Sequence, residues 1–440
     1  MTRDKGPLEQ TGPPYGGGIC MWDTNEKILW SFNEETPYFR KPVSDVSNFR
    51  REEMQAVRTF HASIPGYEPT PLRRLERLAE RLGVKGLYLK DESYRFGLHA
   101  FKVLGGSYAI ARYLGQRLGK ELTELPYDVL TGEAVKRQLG EVTFATTTDG
   151  NHGRGVAWTA RVLGQKAVVY MPKGSSPLRV EAIRAEGADV TVRDVNYDES
   201  VRLTAEEAAE KGWVVVQDTA WEGYEDIPLW IMQGYGTMAA EAMEQMKRDG
   251  ADLPSHVFVQ AGVGSLAGMV QGFFRAHFPE APPRVIVVEA NRADCYYRSA
   301  LAGDGKPHAV TGDLDTLMAG LACGEANTIA YGILRDYASA FVSCPDYVAA
   351  RGMRVLGNPL AGDPYVCSGE SGAVTAGLLT FLMEDDDLAP LREKLELDER
   401  STVVLFSTEG DTDPARYRSV VWDGEFPTFG LVNRARRSNG

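Results

Sequence analysis

The chain has 440 residues, with 48 Lys and Arg against 61 Asp and Glu, for a formal net charge of −13. That excess of acid argues against sequence-independent binding to nucleic acid or to anionic membranes, both of which need a basic face. No stretch approaches the roughly 20 apolar residues of a membrane span, and the length exceeds what one hydrophobic core supports, so two domains are expected.

The opening "MTRDKGPLEQTGPPYGGG" is rich in Gly and Pro and lacks a signal peptide's apolar middle. Residues 1–20 therefore read as a loose arm and the compartment as the cytoplasm. Cys20, Cys295, Cys323, Cys344 and Cys367 form no CxxC and no Cys/His cluster, so no metal site is expected. "PLRRLERLAERLG" sets Leu72, Leu75, Leu78 and Leu82 at helical spacing, which predicts a helix from Pro71 to Gly83, and "GLYLKDE" after it predicts a short buried strand. Between Val156 and Asp218, helical and apolar stretches alternate three times: "VAWTARVLG" and "KAVVYMP", "SSPLRVEAIRAEG" and "DVTVRD", "DESVRLTAEEAAEKG" and "WVVVQD". That alternation implies a parallel sheet covered on both faces. In the middle helix Ser176 is placed to cap, Pro177 suits the first turn and Gly187 closes it. A second series starts at Met232, passes through "HVFVQAGVGSLAG" and "RVIVVEA", and ends with "STVVLFST". Between Asn291 and Asp363 the pattern weakens, and this stretch reads as a lid or interface segment.

Four stretches carry chemistry. "QAGVGSLAG" follows the strand His256 to Val259 and opens a helix, an arrangement in which backbone N–H groups hold a phosphate. With Gly262, Gly264 and Ala267 in the loop and Glu289 at the end of the next strand, it also fits a dinucleotide fingerprint, so a nicotinamide-dependent dehydrogenase stays open. "TTTDGNHGRG", Thr146 to Gly155, is a second Gly-rich loop before a helix. A helix cap by Asp149 or Asn151 accounts for one polar residue there, not for the whole run. "FSTEGDTDP" leaves the last strand at its carboxyl edge, where Ser407 and Thr408 either form a turn or face a ligand. In "FKVLGGSYA" Lys102 stands between an aromatic and an aliphatic run. It is either a solvated helix start or a buried amine, and an amine among Phe101, Val103 and Leu104 is partly desolvated, which favours its neutral, nucleophilic form.

Taken in order, the lysine, the Asn-His loop, the Gly-rich loop and the terminal Ser/Thr resemble the fold type II family of pyridoxal phosphate enzymes. "KDESYRFGLHAFKVLGGSYA", "TTDGNHGRGVAW", "YMPKGS", "VVQDTAWEGY" and "FSTEGDTDP" are most similar to its diaminopropionate ammonia-lyases, over about Tyr67 to Trp422. The resemblance implies two open parallel-sheet α/β domains with pyridoxal 5'-phosphate in the cleft between them. The large domain would span 21–104 and 236–440, with the phosphate loop at 261–266, and the smaller one 105–235. It makes Lys102, beside Phe101, the residue that forms the Schiff base. Gly262, Val263, Gly264, Ser265 and Leu266 become the phosphate cup, Asn151 the partner of the ring hydroxyl and Thr408 that of the ring nitrogen. Thr147, Thr148, Asp149, Gly150 and His152 would hold the substrate.

Asp149 departs from the small residue that dehydratases of this family carry. Opposite Lys102 it can accept a proton or draw a β-ammonium, and Asp218 is a second acid at a strand end. The implied reaction is elimination from 2,3-diaminopropionate, as both D and L isomers, to pyruvate and ammonia. A serine or threonine dehydratase and a catalytically silent binding protein are the alternatives, and a homodimer is the expected assembly. The resemblance also places Cys295 and Cys323 near each other, where a crosslink would steady a lid, although a reducing cytoplasm opposes it.

Overall fold

The computed structural model describes residues 26–39, 41 and 44–428. The expected arm at 1–20, with Cys20, lies outside them. Among the described residues eleven strands run in chain order: β1 Leu29–Phe32, β2 Leu72–Arg74, β3 Gly86–Asp91, β4 Thr143–Thr147, β5 Lys166–Met171, β6 Asp189–Val192, β7 Val214–Val215, β8 His256–Gln260, β9 Arg284–Ala290, β10 Ala340–Cys344 and β11 Thr402–Ser407.

They form two sheets. One has the order β1-β10-β9-β8-β11-β3-β2 and the other β6-β5-β4-β7. The inner strands of the larger sheet are parallel, and β1 and β2 close its edges antiparallel. The smaller sheet is parallel throughout. Every residue of β3, β8, β10 and β11 is buried. Strands covered on both faces need continuous apolar runs rather than alternation, and "VFV", "VIVV" and "VVLF" supply them with side chains that suit a pleated surface.

One expectation is corrected. The helix predicted from Pro71 begins only at Glu76 and ends at Leu82, with Gly83 left-handed at φ +68° behind it. Leu72–Arg74 is instead the edge strand β2, with Leu72 opposite Lys90. Three residues of "LRR" fit either period, and pairing with β3 decides. The stretch 291–363, where the sequence pattern weakens, nevertheless holds regular structure: it contains β10, inserted between β1 and β9, and the helices Cys295–Ala302, Thr328–Tyr337 and Asp346–Gly357. Its irregular part borders the cavity described below through Gly320, Leu321 and Cys323.

The two sheets are joined through the helices Val103–Leu118 and Asp226–Arg248, which pack on each other. Their backbones nearly touch: a Cβ on Gly234 would lie 2.3 Å from the Leu104 carbonyl oxygen. This crossing fixes the start of the first helix, and Lys102 stands immediately before it.

Candidate active site

Parallel strands deliver their following loops to one edge of a sheet, and ligands of open α/β folds bind there. The loops after β4, β7, β8 and β11 converge on one cavity, lined by Phe101, Lys102, Asp149, Asn151, His152, Asp218, Gly262–Leu266 and Thr408. The main sequence candidates are thus brought together from segments more than 300 residues apart. Thr147, Thr148 and Gly150 are not among the lining residues. The Thr147 hydroxyl bonds Thr204 at 2.8 Å and the Ser200 carbonyl at 3.1 Å, on the helix Tyr197–Lys211. The Thr148 hydroxyl accepts from the N–H groups of Gly150 and Gly153, both at 2.9 Å. Both threonines build the loop, and the start of the helix Asn151–Val162 is satisfied by Thr148, not by Asp149 or Asn151.

The Lys102 amine donates to the Asp218 carboxylate. Burial opposes the charge on Lys102 and is the largest single influence, but Asp218, Tyr235 and Asp149 together outweigh it and the amine's pKa lies above its ordinary value. Desolvation therefore does not leave this lysine neutral, as its apolar sequence neighbours suggested; groups distant in sequence, Asp218 first, reverse the sign. Burial likewise would raise Asp218, but the Lys102 ammonium, then His152 and the Tyr197 hydroxyl, bring it down to about 2. The Tyr197 hydroxyl donates to Asp218 at 3.3 Å. His152 donates through Nε2 to the Val216 carbonyl at 2.8 Å, which leaves its buried Nδ1 without a partner at the cavity wall.

Below these groups the loop Gly262–Gly264 runs into the helix Ser265–His277. Gly264 has φ +94°, and a Cβ there would lie 1.9 Å from the Tyr296 hydroxyl, so backbone alone occupies this corner. Unpaired N–H groups of a first helical turn with no side chain in front of them are a cradle for an anion. The Ser265 hydroxyl donates to the Asp218 carbonyl and accepts from Asn327 Nδ2 at 2.8 Å. Glu289 lies behind the loop and accepts from the N–H groups of Tyr296 at 2.8 Å and Tyr297 at 2.7 Å. It holds the helix Cys295–Ala302 and cannot serve a ribose, which removes the dehydrogenase reading of the glycines.

At the far end, Gln260 donates through Nε2 to the Thr408 hydroxyl at 2.7 Å. The Thr408 oxygen is thereby an acceptor toward Gln260, and its own proton is donated to Glu409 Oε2 at 3.4 Å at the cavity wall. Glu409 accepts from Gly372 N–H at 3.0 Å and from Asn151 Nδ2 at 3.4 Å. Burial first, and the neighbouring Glu370 next, raise its carboxyl to about 7. Tyr197, Gln260, Ser371 and Glu409 line the cavity although the sequence reading gave them no role, and Cys323 lines it too. Glu409 stood inside a quoted motif, and its place directly after Thr408 at the strand end was the available signal. Cys295 and Cys323 are both buried free thiols, the alternative to the crosslink that the resemblance raised.

An amine, an anion cradle and a hydroxyl share this cavity, a donor set suited to an aldehyde, a phosphate and a ring nitrogen. The model of the pyridoxal-phosphate-dependent enzymes matches residues 64–409. The chain belongs to that family. Among its pyridoxal-phosphate-dependent relatives, the diaminopropionate ammonia-lyase of Salmonella typhimurium is 52% identical over 369 residues, covering 84% of this chain and 91% of the relative. Structures of the Escherichia coli diaminopropionate ammonia-lyase match over 91% of this chain and 98% of theirs. The complex with D-serine has TM-score 0.83 at 48% identity, and the complex with an aminoacrylate-PLP azomethine reaction intermediate 0.82 at 49%. The Escherichia coli L-threonine dehydratase is 30% identical over 242 residues, 54% of this chain and 40% of its own length.

Proposed function

We propose that this chain eliminates ammonia from 2,3-diaminopropionate, in both D and L forms, giving aminoacrylate, which hydrolyses to pyruvate and a second ammonia. The observation that carries the reading is Asp149 in the same cavity as Lys102 and the glycine cradle. The residues that would hold pyridoxal phosphate are Lys102 for its aldehyde carbon, Gly262–Leu266 for its phosphate, Asn151 for its ring hydroxyl and Thr408 for its ring nitrogen. When bound, the cofactor supplies an electron sink that acidifies the substrate Cα.

The chain's own groups then divide the proton work. The Lys102 nitrogen, which gives up its proton in order to bind the aldehyde carbon, would take the Cα proton of the L isomer, and Asp218, paired with it, would stabilise the ammonium that results. The D isomer presents its proton to the opposite face, where Asp149 accepts it and also attracts the β-ammonium that leaves as ammonia. Phe101 packs its ring on Tyr235 with centroids 4.6 Å apart, beside the amine. We assign the same two units as the sequence reading, 21–104 with 236–440 and 105–235, each built around one sheet. We also assign a homodimer in the cytoplasm, the assembly being the one that the family resemblance implies. Among the described residues no helix is long and apolar enough to cross a membrane.

The test is pyruvate release by the purified holoenzyme from each isomer of diaminopropionate, with serine and threonine alongside. Turnover of both diaminopropionate isomers well above the hydroxy amino acids is expected. Faster release from serine or threonine overturns the assignment in favour of a dehydratase.

A further inference from the structure

Asp149 does not reach its position unaided. The loop that carries it turns through Gly150 at φ +152°, and the stem of Arg179 lies directly on that turn: a Cβ on Gly150 would come within 2.9 Å of Arg179 Cδ. Arg179 belongs to the helix Pro177–Ala185 and is 9% exposed. Its Nη2 donates to Glu370 Oε1 at 3.1 Å, and Glu370 opens the helix Glu370–Glu384 beside the larger sheet. Its Nη1 stands 4.0 Å from Asp149 Oδ2. Its Nε is buried without a partner.

These distances differ in kind. At 3.1 Å the contact with Glu370 is a charge-assisted hydrogen bond, which anchors the guanidinium. At 4.0 Å the contact with Asp149 is too long for a hydrogen bond, so charge orients the carboxylate without occupying its lone pairs. Glu370 keeps the guanidinium from collapsing onto Asp149. Asn151, two residues on, is tied to the same side of the cleft by its bond to Glu409. The Asp149–Asn151 loop is thus held at two points, and Arg179 supplies one of them.

We infer that Arg179 is the positioning residue for Asp149, anchored across the cleft by Glu370 so that the carboxylate faces the substrate with its lone pairs free. The inference rests on the two-base reading proposed above. Removing the guanidinium lets the loop shift, and a misplacement of about 1 Å costs on the order of 10²-fold in rate. The loss falls on the isomer whose proton Asp149 takes.

The experiment measures kcat and KM of the holoenzyme for D- and L-diaminopropionate in Arg179→Met, Arg179→Lys and Asp149→Asn, with melting curves. Arg179→Met keeps the stem against Gly150 and is expected to lower kcat for the D isomer ~10²-fold, and that for the L isomer far less. Arg179→Lys, which restores the charge, is expected to recover most of the D to L ratio. A merely structural arginine would lower the melting temperature and both isomers together. An unchanged D to L ratio in Arg179→Met, or a lysine variant that regains stability but not the ratio, overturns the inference. An unchanged ratio in Asp149→Asn removes the two-base reading and this inference with it. A collapsed ratio there beside an unchanged one in Arg179→Met removes this inference alone.

Discussion

Two buried clusters of charge lie within the larger half of the molecule and at its cleft, and they are built differently. In the first, Lys90, Glu92, Arg95 and Glu241 are at most 1% exposed, two cations against two acids. Glu241 accepts from Lys90 at 2.7 Å, Arg95 at 2.8 Å and Tyr67 at 2.7 Å, and Glu92 accepts from Arg95 at 2.8 Å and Thr70 at 2.6 Å. Burial would raise the Glu241 carboxyl, but Arg95 and Lys90 hold it below its ordinary value. In the second, Lys102 and Arg179 face Asp149, Asp218, Glu370 and Glu409, so acids outnumber cations. His152 Nδ1, Arg179 Nε and Gln260 Oε1 lack partners there. A buried ion network that satisfies itself is a scaffold; one left with spare acids and unpaired atoms around a cavity has groups to offer a ligand.

The sharpest way to break this contrast is to remove the cleft amine. Lys102→Ala is expected to abolish elimination from the L isomer and the visible absorbance of the lysine-bound cofactor, while the protein still folds. Undiminished L turnover would put Lys102 outside the chemistry. Next in size, Asp149→Asn should cost the D isomer ~10²- to 10⁴-fold, the usual worth of a general base, and the L isomer much less. Steady-state kinetics with each enantiomer read this directly. In the scaffold cluster the effect should move from rate to stability. Glu241→Gln leaves buried cations uncompensated and is expected to destabilise by about 3–5 kcal/mol in urea unfolding. A loss of kcat in Glu241→Gln protein that remains folded would erase the distinction between the clusters.

The smallest effect is a pH dependence. The Glu409 carboxyl is raised from 4.5 to about 7, so across that window the folded chain holds a proton that the unfolded chain has released. The folded state then binds more protons, and this residue's contribution to stability falls as pH rises from about 4.5 to about 7. Glu409→Gln removes the dependence. Melting of the cofactor-free protein should show the variant gaining on the parent by up to about 3 kcal/mol at neutral and higher pH, and losing that gain near about pH 4. Parallel curves at every pH would show that Glu409 does not titrate there.

What was legible in the sequence follows the same contrast between local and distant causes. The loops holding Lys102, Asn151, Gly264 and Thr408 announced themselves because each concentrates glycine or polar residues at a strand end or helix start. Arg179 did not, since "SSPLRVEAIRAEG" is an ordinary helix by its own pattern and its partner Glu370 is 191 residues away. Gln260 read as the first residue of the Gly-rich loop, whereas it ends β8, and its bond to Thr408 is what gives it a direction. The charge on Lys102 was misjudged for the same reason, because burial was visible from its neighbours and Asp218 was not. β10 was missed because "AFVSC" is short and follows a helix closely, with pairing to β9 rather than local pattern making it a strand.

The Tyr296 hydroxyl donates to the Val263 carbonyl at 2.8 Å and also fills the space beside Gly264. Position 264 is therefore barred twice, once by a left-handed turn that L side chains avoid and once by a phenol pressed against it. Trimming Tyr296 would lift one bar and leave the other, while cutting the bond that holds the turn. The two positions form a mutational dead end in which neither can change usefully before the other. An acid that looked like a ribose ligand, Glu289, holds the helix that keeps it so.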